Sequence, residues 1–564
     1  LVTMLSVSGT KDEFLSYAKE LFEKTKTEAD AINLANAYSK NEKFIELDEF
    51  LEGNKEIVDR SEPLKLHKAW SLFRSGNLKN ARELTEELSR IGNERLDVET
   101  LDIHLNIYSG NWDALASVVE ARWEKKEELS KAKLLQTASI AKAQLPNRAK
   151  EILEFATQKF PDDPEVLASA YFTATLLGWE DNKSSSEWLN RAAVLSSENG
   201  GPINTGSFED MKEMMYAQRE RSDHVYKAYL NNEAPIFLLA DLLHRSLSDF
   251  YLIQPFENTK NNSVHKKSAI AAFHSLREEK FIDAESITVD VSSVLTIGYL
   301  GLLDSFFKVF PKIVISHSLL MWLYEEKQKV AFHQPSQVSK AKNFESLILD
   351  DCIQVAPTRL IEDPKLALSV GDELAMLIET AVNGETVEHQ CVVVSSYPAY
   401  HVGSFRQEEV DLSPHYKNLV SCVTLIGKLK ELSLLTDTEY SRAVQYLKQQ
   451  QHGETWPEEP ELSDSASVYL DSLSVTLDKF KNTGIKLYVD SEDHRRYKAL
   501  RNFDSTIQKA DSVLDKIKVA FHAGLENGQV TLSEMLDASE RKGHSIESTP
   551  ISELFHKKCI TGGV

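Results

Sequence analysis

The chain has 564 residues, of which 42% are hydrophobic and 27% are charged, and these values are typical of a soluble globular protein. One hydrophobic core does not grow to this length, so we expect two or more domains. The formal net charge of −23 argues against a general nucleic-acid coat, because such surfaces are basic and neutralise phosphates. It leaves open a small local groove that handles nucleic acid.

Two features of the sequence bear on the compartment. The cysteines, Cys352, Cys391, Cys422 and Cys559, lie far apart without C-x-x-C spacing, and the N-terminal residues do not resemble a secretory leader, which favours a reducing environment. No run approaches the roughly 18 uninterrupted apolar residues that a membrane span needs. We therefore expect a cytoplasmic protein with no membrane segment.

Residues 1–250 are predicted to form an α-helical repeat solenoid. From residue 11 onward, apolar residues return every three or four positions, as on one face of a helix. The turn sequences Ser75-Gly76-Asn77 and Ser109-Gly110-Asn111 lie 34 residues apart, which is the period of tetratricopeptide repeats. Asn41 and Asn147 extend the series in both directions, with spacings of 36 residues.

Smaller details of this region resemble the tetratricopeptide family. Ala81 and Ala149 lie where the second helix of a repeat requires a small residue, and Phe160-Pro161-Asp162-Asp163-Pro164 resembles the linker that ends a repeat. A generic solenoid of α-hairpins is the alternative. In either case neighbouring hairpins stack and offer a concave surface, so we expect binding of a protein partner or self-association, including a homo-oligomer.

The remaining chain is predicted as a linker, an α/β domain and a C-terminal helical region. The linker covers residues 251–283 and contains QPFENTKNNSVH. From 284 to 502, the strand-like runs SITVDV, KIVIS, QCVVVSS, SVYLD and GIKLYVD alternate with helical segments, which indicates a mostly parallel sheet. We predict a helical insertion at about 412–455 and helix from 503 to 564. The fold class is thus an α-helical solenoid followed by an α/β domain.

Acidic residues follow two of the predicted strands. Asp290 follows Ile287-Thr288-Val289, and Asp471 follows a run that ends at Leu470, while Asp372 and Glu373 open an apolar helix. Sites in open α/β sheets lie beyond the carboxyl ends of the strands. Carboxylates gathered there would repel one another unless a cation neutralised them, and their hard oxygens select Mg²⁺ or Mn²⁺. Such a centre activates water for phosphodiester cleavage.

Each of these acids has an alternative role. Asp290 and Asp471 could be helix N-caps, each contributing about 1 kcal/mol, and Asp372 and Glu373 could complement the positive end of a helix. Ser292 could orient a ligand or cap a helix. The segment VDSEDH at residues 489–494 could be a strand end or a loop.

One part of the sequence resembles the start of a PIN domain, a metal-dependent nuclease fold of toxin and RNA-processing families. This part consists of the strand Ile287-Thr288-Val289, the residues Asp290 and Ser292, and the segment LGLLD at residues 300–304. Gly371-Asp372-Glu373-Leu374-Ala375 is similar to a later helix start of that family, and Asp471 to its late strand-end acid. Where family members carry a glutamate after the second strand, this sequence has Met321 and Trp322, with Glu325 and Glu326 one turn later.

The resemblance implies a metal-dependent endoribonuclease in which Asp290, Asp372, Glu373 and Asp471 hold Mg²⁺ or Mn²⁺. RNA is the expected substrate, with single-stranded DNA as the alternative. A PIN domain with upstream tetratricopeptide repeats is similar to large bacterial regulatory or conflict proteins, so a role in defence or stress is implied. The competing hypothesis is a non-catalytic scaffold with a degenerate PIN-like domain.

A basic segment provides candidate nucleic-acid contacts. Arg495, Arg496 and Tyr497 lie in HRRYKALR, and together with Ser292 they could hold phosphates and stack a base. A solvated helix face is the alternative for this segment. No Walker loop, H-E-x-x-H or G-x-S-x-G signature is present, so functions that depend on those signatures are not supported.

Overall fold

The computed structural model describes residues 11–535, except 91–95, 181, 205, 232, 234–235, 244, 268–284, 331–333, 358, 404–407, 450–452, 472–476 and 482. Contacts divide the chain into two compact units, of which unit 1 is drawn from residues 1–333 and 506–564, and unit 2 from residues 334–505. Both units combine helices with a parallel sheet. Among the described residues, no helix is both long and apolar enough to cross a membrane.

The N-terminal part of unit 1 is a succession of helices joined by short turns. They are α1 (Lys11–Thr25), α2 (Glu28–Lys40), α3 (Phe44–Gly53), α4 (Lys55–Val58), α5 (Glu62–Arg74), α6 (Leu78–Arg90), α7 (Leu96–Ser109), α8 (Leu115–Glu124), α9 (Lys131–Gln144), α10 (Pro146–Lys159), α11 (Pro164–Leu177), α12 (Lys183–Asn199), α13 (Phe208–Leu230), α14 (Ile236–Leu242) and α15 (Gln254–Lys260).

Glycines form two of the turns on which the repeat prediction depends. Gly76 follows α5 with φ of 81°, and Gly110 follows α7 with φ of 79°, a left-handed conformation that glycine adopts without steric cost. The small residues Ala81 and Ala149 are fully buried. N-terminal helical repeats are therefore confirmed, while their assignment to the tetratricopeptide family stays a prediction.

Eight strands are assigned in the described part of the chain. They are β1 (Ile287–Val289), β2 (Ile313–Ile315), β3 (Ile353–Val355), β4 (Cys391–Val394), β5 (Leu419–Val420), β6 (Ser467–Leu470), β7 (Lys486–Val489) and β8 (Val530–Leu532). Unit 1 holds a three-stranded sheet in the order β1-β2-β8, and unit 2 holds a five-stranded sheet in the order β3-β7-β6-β4-β5. The pairings between neighbouring strands are parallel throughout.

The later helices connect and cover these strands. They are α16 (Val291–Tyr299), α17 (Leu303–Val309), α18 (Leu319–Val330), α19 (Pro335–Leu349), α20 (Pro364–Val370), α21 (Asp372–Gly384), α22 (Cys422–Glu431), α23 (Asp437–Gln449) and α24 (Ser491–Glu526). The long helix α24 passes from unit 2 into unit 1 at residues 505 and 506.

Within unit 1, the solenoid packs on the three-stranded sheet. His317 follows β2 and is fully buried, and its Nε2 donates a 2.7 Å hydrogen bond to the Phe73 carbonyl of α5. A Cβ at Gly76 would lie 2.9 Å from the carbonyl oxygen of Leu532 in β8. The glycine thus serves a close approach as well as a turn, and the repeats and the sheet share one core.

Unit 2 is inserted into the chain of unit 1 between β2 and β8. β1 and β2 are neighbours in unit 1, but the next strand in sequence, β3, pairs with β7 in unit 2. β6 and β7 are neighbours in unit 2, while the strand after α24, β8, pairs with β2 in unit 1. The five strands of unit 2 therefore come from one continuous segment, whereas unit 1 takes its third strand from beyond the insertion.

The sheet of unit 2 has helices on both faces. All four residues of β4 are buried, with Val392 and Val394 in one apolar cluster and Cys391 and Val393 in another. The first cluster includes residues of α19, α22 and α23, and the second includes residues of α20 and α21. A strand covered on both sides reads as a continuous apolar run, which explains why QCVVV lacks polar alternation.

The boundaries differ from the sequence predictions at two places. The segment 412–455, predicted as a helical insertion, contains β5, whose two residues are too few to interrupt the helical periodicity around them. The predicted 284–502 domain is divided between the two units, because sequence order does not reveal that unit 2 is inserted between β2 and β8 of unit 1. The predicted linker 251–283 includes α15, and its residues 268–283 lie outside the described part.

Candidate active site

The carboxyl ends of the strands in unit 2 lie along one edge of the sheet. Because the strands are parallel, the residues after β4, β6 and β7 are brought to this edge. These residues are Ser395, Asp471 and Asp490. Leu470 pairs with Val489, so the two aspartates follow matching positions of adjacent strands, about 4.8 Å apart between backbones.

Asp471 is held by the neighbouring strand. The Ser395 hydroxyl donates a 2.8 Å hydrogen bond to Asp471 Oδ2, and the Asp471 amide donates to the Val394 carbonyl at 3.1 Å. Ser395 is in turn buried, and its carbonyl accepts a bond from the Trp456 indole nitrogen at 3.0 Å. The carboxylate is therefore positioned at the sheet edge. The five residues after it lie outside the described part of the chain.

Asp490 caps the helix that leaves the sheet edge. Its Oδ2 accepts hydrogen bonds from the backbone N–H groups of Glu492 at 2.6 Å and Asp493 at 3.4 Å, in the manner of an N-cap. Asp490 is only 3% exposed. A nearly buried carboxylate requires such hydrogen-bond donors. The cap also places the first turn of α24, which contains Glu492 and Asp493, at the carboxyl-end edge of the sheet.

Glu373 and Asp493 show that several carboxylates share this region. Burial raises the pKa of Glu373, and the nearby carboxylates of Asp490, Asp493 and Glu492 raise it further. Burial also raises the pKa of Asp493, as do Asp490 and Glu492, against the opposing effect of Arg496. Both groups are thus harder to ionise than usual, first because of burial and then because like charges lie near them.

The other predicted site residues of unit 2 have separate surroundings. Asp372, like Glu373 beside it, is exposed in the first turn of α21. Arg495 forms an ion pair with Glu492, and Arg496 lies 2.8 Å from Asp493. The Tyr497 ring packs on Phe344 with centroids 4.6 Å apart. The two arginines therefore already partner acids of their own helix turn, and the tyrosine ring has a packing role.

Asp290 lies in unit 1, separately from this group. Its Oδ1 accepts a 3.0 Å bond from the Ser293 N–H, which makes it the N-cap of α16. Its Oδ2 accepts a 2.5 Å bond from the Ser292 hydroxyl. The residues after β2 and β8 are the serines Ser316 and Ser533, so no second acid follows a strand of this sheet. The structure thus assigns Asp290 to one unit, and Asp372, Glu373 and Asp471 to the other.

Sequence reasoning left Asp490 and Asp493 out of the candidate set. VDSEDH is a strand end followed by a helix rather than a loop, since β7 ends at Val489 and α24 begins at Ser491. The signal was available, because IKLYVD repeats the pattern of apolar strand and aspartate seen in ITVD and VYLD. The strand order that makes Asp490 a neighbour of Asp471 could not be read from that pattern.

The acids of the sheet edge have suitable chemistry for a hard cation, although their geometry is not that of a formed metal site. Carboxylate oxygens are the ligands that Mg²⁺ and Mn²⁺ prefer. Among the residues that the structure describes, no group of three or more His, Cys, Asp or Glu side chains is arranged to hold a metal ion. The residues are thus compatible in type, and side-chain rearrangement would be needed to bind a cation.

Comparison with known proteins gives one local match. Residues 208–277, from α13 through α15, match a family model described as HTH upstream double PIN. No curated protein matches the chain, and neither does any solved structure. The match associates the chain with PIN-related proteins.

Proposed function

We propose that the protein is a metal-dependent endoribonuclease whose catalytic site is the acidic sheet edge of unit 2. The observation that carries this proposal is the gathering of Glu373, Asp471, Asp490 and Asp493 around the ends of two adjacent strands. Burial and neighbouring carboxylates raise the pKa of Glu373 and of Asp493, and a cation bound there would relieve the repulsion between the charges. Asp372 is adjacent to the set and could assist it.

The side chains have distinct roles in this proposal. Asp471, fixed by Ser395, would hold Mg²⁺ or Mn²⁺ together with Glu373 and Asp493, while Asp490 keeps the first turn of α24 oriented. When bound, the cation would lower the pKa of a water molecule and stabilise the leaving oxygen of a phosphodiester. RNA is the proposed substrate, with single-stranded DNA as the alternative, and Arg495 and Arg496 are the nearby candidate phosphate contacts.

The name of the matched family supports a further part of the proposal, that unit 1 and unit 2 are a pair of PIN-like domains. Both contain two adjacent parallel strands, the first of which is followed by an aspartate. Asp290 is not included in the proposed ligand set because it caps α16. Unit 1 would be the non-catalytic member of the pair.

We assign the solenoid and the segment 208–277 to regulation. The family name includes a helix-turn-helix, but this segment contains nine basic and nine acidic residues, whereas nucleic-acid-binding surfaces are usually basic. Recognition of a protein partner or self-association therefore fits it better. A bacterial defence or stress system, in a cytoplasmic setting, is the proposed context.

A second candidate function is a non-catalytic scaffold. It is favoured by the absence of a formed metal arrangement in the described residues and by Ser395, which occupies one oxygen of Asp471. In that case the acids of unit 2 would remain as helix caps and surface charges, and the chain would act by binding proteins.

The test is a cleavage assay on RNA and single-stranded DNA with Mn²⁺ or Mg²⁺, comparing the wild type with single variants. We expect Asp471→Asn and Glu373→Gln each to lower the rate by at least about 100-fold, since each removes a charge that acts on the reacting centre. Asp290→Asn should retain the wild-type rate within about twofold.

A matched control is Asp304→Asn, which changes an exposed acid of α17 outside both strand ends. Equal loss in Asp290→Asn and Asp471→Asn would instead support one site that uses both aspartates. Absence of cleavage by the wild type with either metal would favour the scaffold, and activity unchanged by both unit 2 variants would overturn the site assignment.

A further inference from the structure

A half-open cleft of about 180 Å³ lies within unit 1, where the solenoid packs against α18 and α24. The ends of α9 and α11 form one side through Lys142 and Leu177, and Tyr324 and Lys327 of α18 form the other. This cleft has no part in the proposed nuclease site, because its lining residues belong to unit 1.

The walls of the cleft are mainly apolar and aromatic. Trp112 is 3% exposed, and its ring meets that of Tyr324 edge to face with centroids 5.2 Å apart. Leu176 and Leu177 are only partly covered by other residues, although they end a helix whose other face is buried. A flat ring in the cleft would cover the exposed parts of Leu176 and Leu177 and would contact the accessible edge of the aromatic pair.

The size of the cleft sets the size of its occupant. An apolar cavity of about 150 Å³ in another protein accommodates benzene, so the present cleft admits one six-membered ring with a small substituent. It is too small for a nucleotide to be enclosed. The half-open side provides space for a charged group of the ligand to remain near water.

The polar groups of the cleft indicate the charge of this substituent. Lys327 is already neutralised, since its Nζ lies 2.8 Å from carboxylate oxygens of both Asp511 and Asp515. Lys142 has no carboxylate within ion-pair distance among the described residues, and burial alone lowers its pKa. A cation that is partly desolvated without a partner is costly, so an incoming anion at Lys142 would relieve that cost.

We propose that this cleft binds a small aromatic monocarboxylate, with the ring between Trp112, Tyr324 and Leu177 and the carboxylate on the ammonium group of Lys142. A single negative charge matches the single uncompensated lysine, and Asp511 on the opposite wall disfavours a dianion. The site would give unit 1 a small-molecule ligand that is chemically unrelated to RNA.

The test is the binding of 4-fluorobenzoate to the full chain, followed by ¹⁹F NMR and by isothermal titration calorimetry. We expect saturable binding with a Kd of roughly 0.1–1 mM, as befits a ligand of about ten heavy atoms. Lys142→Gln should weaken it by at least about tenfold, whereas Lys142→Arg, which keeps the charge, should stay within about threefold. Neutral 4-fluorobenzamide should bind the wild type at least about tenfold more weakly.

Three controls separate this site from general binding. Lys150→Gln removes a lysine from the next helix and should leave the Kd unchanged. Leu177→Trp should fill the cleft and abolish binding of both acid and amide, with circular dichroism checking that the variant folds. Phenyl phosphate, a dianion, should bind more weakly than 4-fluorobenzoate.

Two results would overturn the proposal. One is that 4-fluorobenzoate does not saturate the protein at concentrations up to about 10 mM, which is roughly ten times the highest Kd expected. The other is that Lys142→Gln binds 4-fluorobenzoate as tightly as the wild type does.

Discussion

The two sheets of this protein begin alike and differ at their acids. In unit 1, Asp290 follows β1 and caps α16, and the other two strands of the sheet are followed by serines. In unit 2, Asp471 and Asp490 follow adjacent strands, and the pKa values of Glu373 and Asp493 are raised by burial and by the carboxylates around them. An aspartate after a strand caps a helix in both units, Asp290 in unit 1 and Asp490 in unit 2, but only in unit 2 do aspartates follow two adjacent strands.

The acids of two later helices also differ between the units, those of α18 after β2 in unit 1 and those of α24 after β7 in unit 2. In unit 1, Glu326 of α18 is 2% exposed, and its carboxylate accepts hydrogen bonds from the hydroxyls of Ser246 and Ser248. In unit 2, Glu492 and Asp493 of α24 remain at the sheet edge beside Asp490. Glu326 thus stabilises unit 1 by accepting hydrogen bonds, whereas Asp493 lies partly buried beside other carboxylates, which destabilise its charged form.

The largest expected effect comes from the buried acid of unit 1. Glu326→Ala should lower the free energy of unfolding of unit 1 by about 3 kcal/mol, because the buried Ser248 hydroxyl and the partly buried Ser246 hydroxyl lose their acceptor and Lys329 loses its ion-pair partner. Urea denaturation, combined with hydrogen exchange of the peptide 319–330, measures it. The matched change in unit 2, Glu492→Ala, removes an exposed acid paired with Arg495 and should cost less than about 0.5 kcal/mol. Similar costs for the two variants would erase the contrast between the helices.

A smaller effect is expected at the cap of α16. Asp290→Ala should destabilise unit 1 by about 1 kcal/mol, since the Ser293 N–H loses its acceptor, while Asp290→Asn should be nearly neutral because asparagine also caps helices. Thermal unfolding of the two variants side by side provides the comparison. A stabilising effect of Asp290→Asn would indicate that the carboxylate is repelled by other charges and would bring unit 1 closer to unit 2.

The sequence predicts the local patterns of this chain well. The helical repeats follow from the periodicity and from the turns at Gly76 and Gly110, and the parallel α/β character follows from strands such as β4 alternating with helices. Each of these depends on residues within about one turn or one strand of each other, where side-chain period and backbone preference act directly.

What the sequence does not predict is which strands become neighbours. Asp290 and Asp471 have the same surroundings in sequence, yet β8 joins β2 and β3 joins β7, which separates the two aspartates into different sheets. Pairing of this kind depends on the burial of β-strands far apart in the chain, and two-residue strands such as β5 leave almost no pattern. The predicted site residues Glu373 and Asp471 stay a prediction, and the set did not include Asp490 and Asp493, which the strand order places in the same unit.

The smallest expected effect has the opposite sign and lies in unit 2. Asp493→Asn should stabilise unit 2 by about 0.5 kcal/mol at neutral pH, because it removes a charge that is partly buried and lies near other carboxylates, at the loss of an ion pair with the exposed Arg496. The pKa of Asp493 is raised by folding, so its charged form destabilises the folded state above that pKa. As the pH falls through the raised pKa toward the ordinary aspartate value of about 3.9, both states of the wild type become protonated and the advantage of the variant should disappear. Urea midpoints of the two proteins across this pH range measure the difference.

If a divalent cation binds the acidic edge, adding Mg²⁺ at neutral pH should stabilise the wild type more than Asp493→Asn, and an equal response would remove Asp493 from the proposed ligand set.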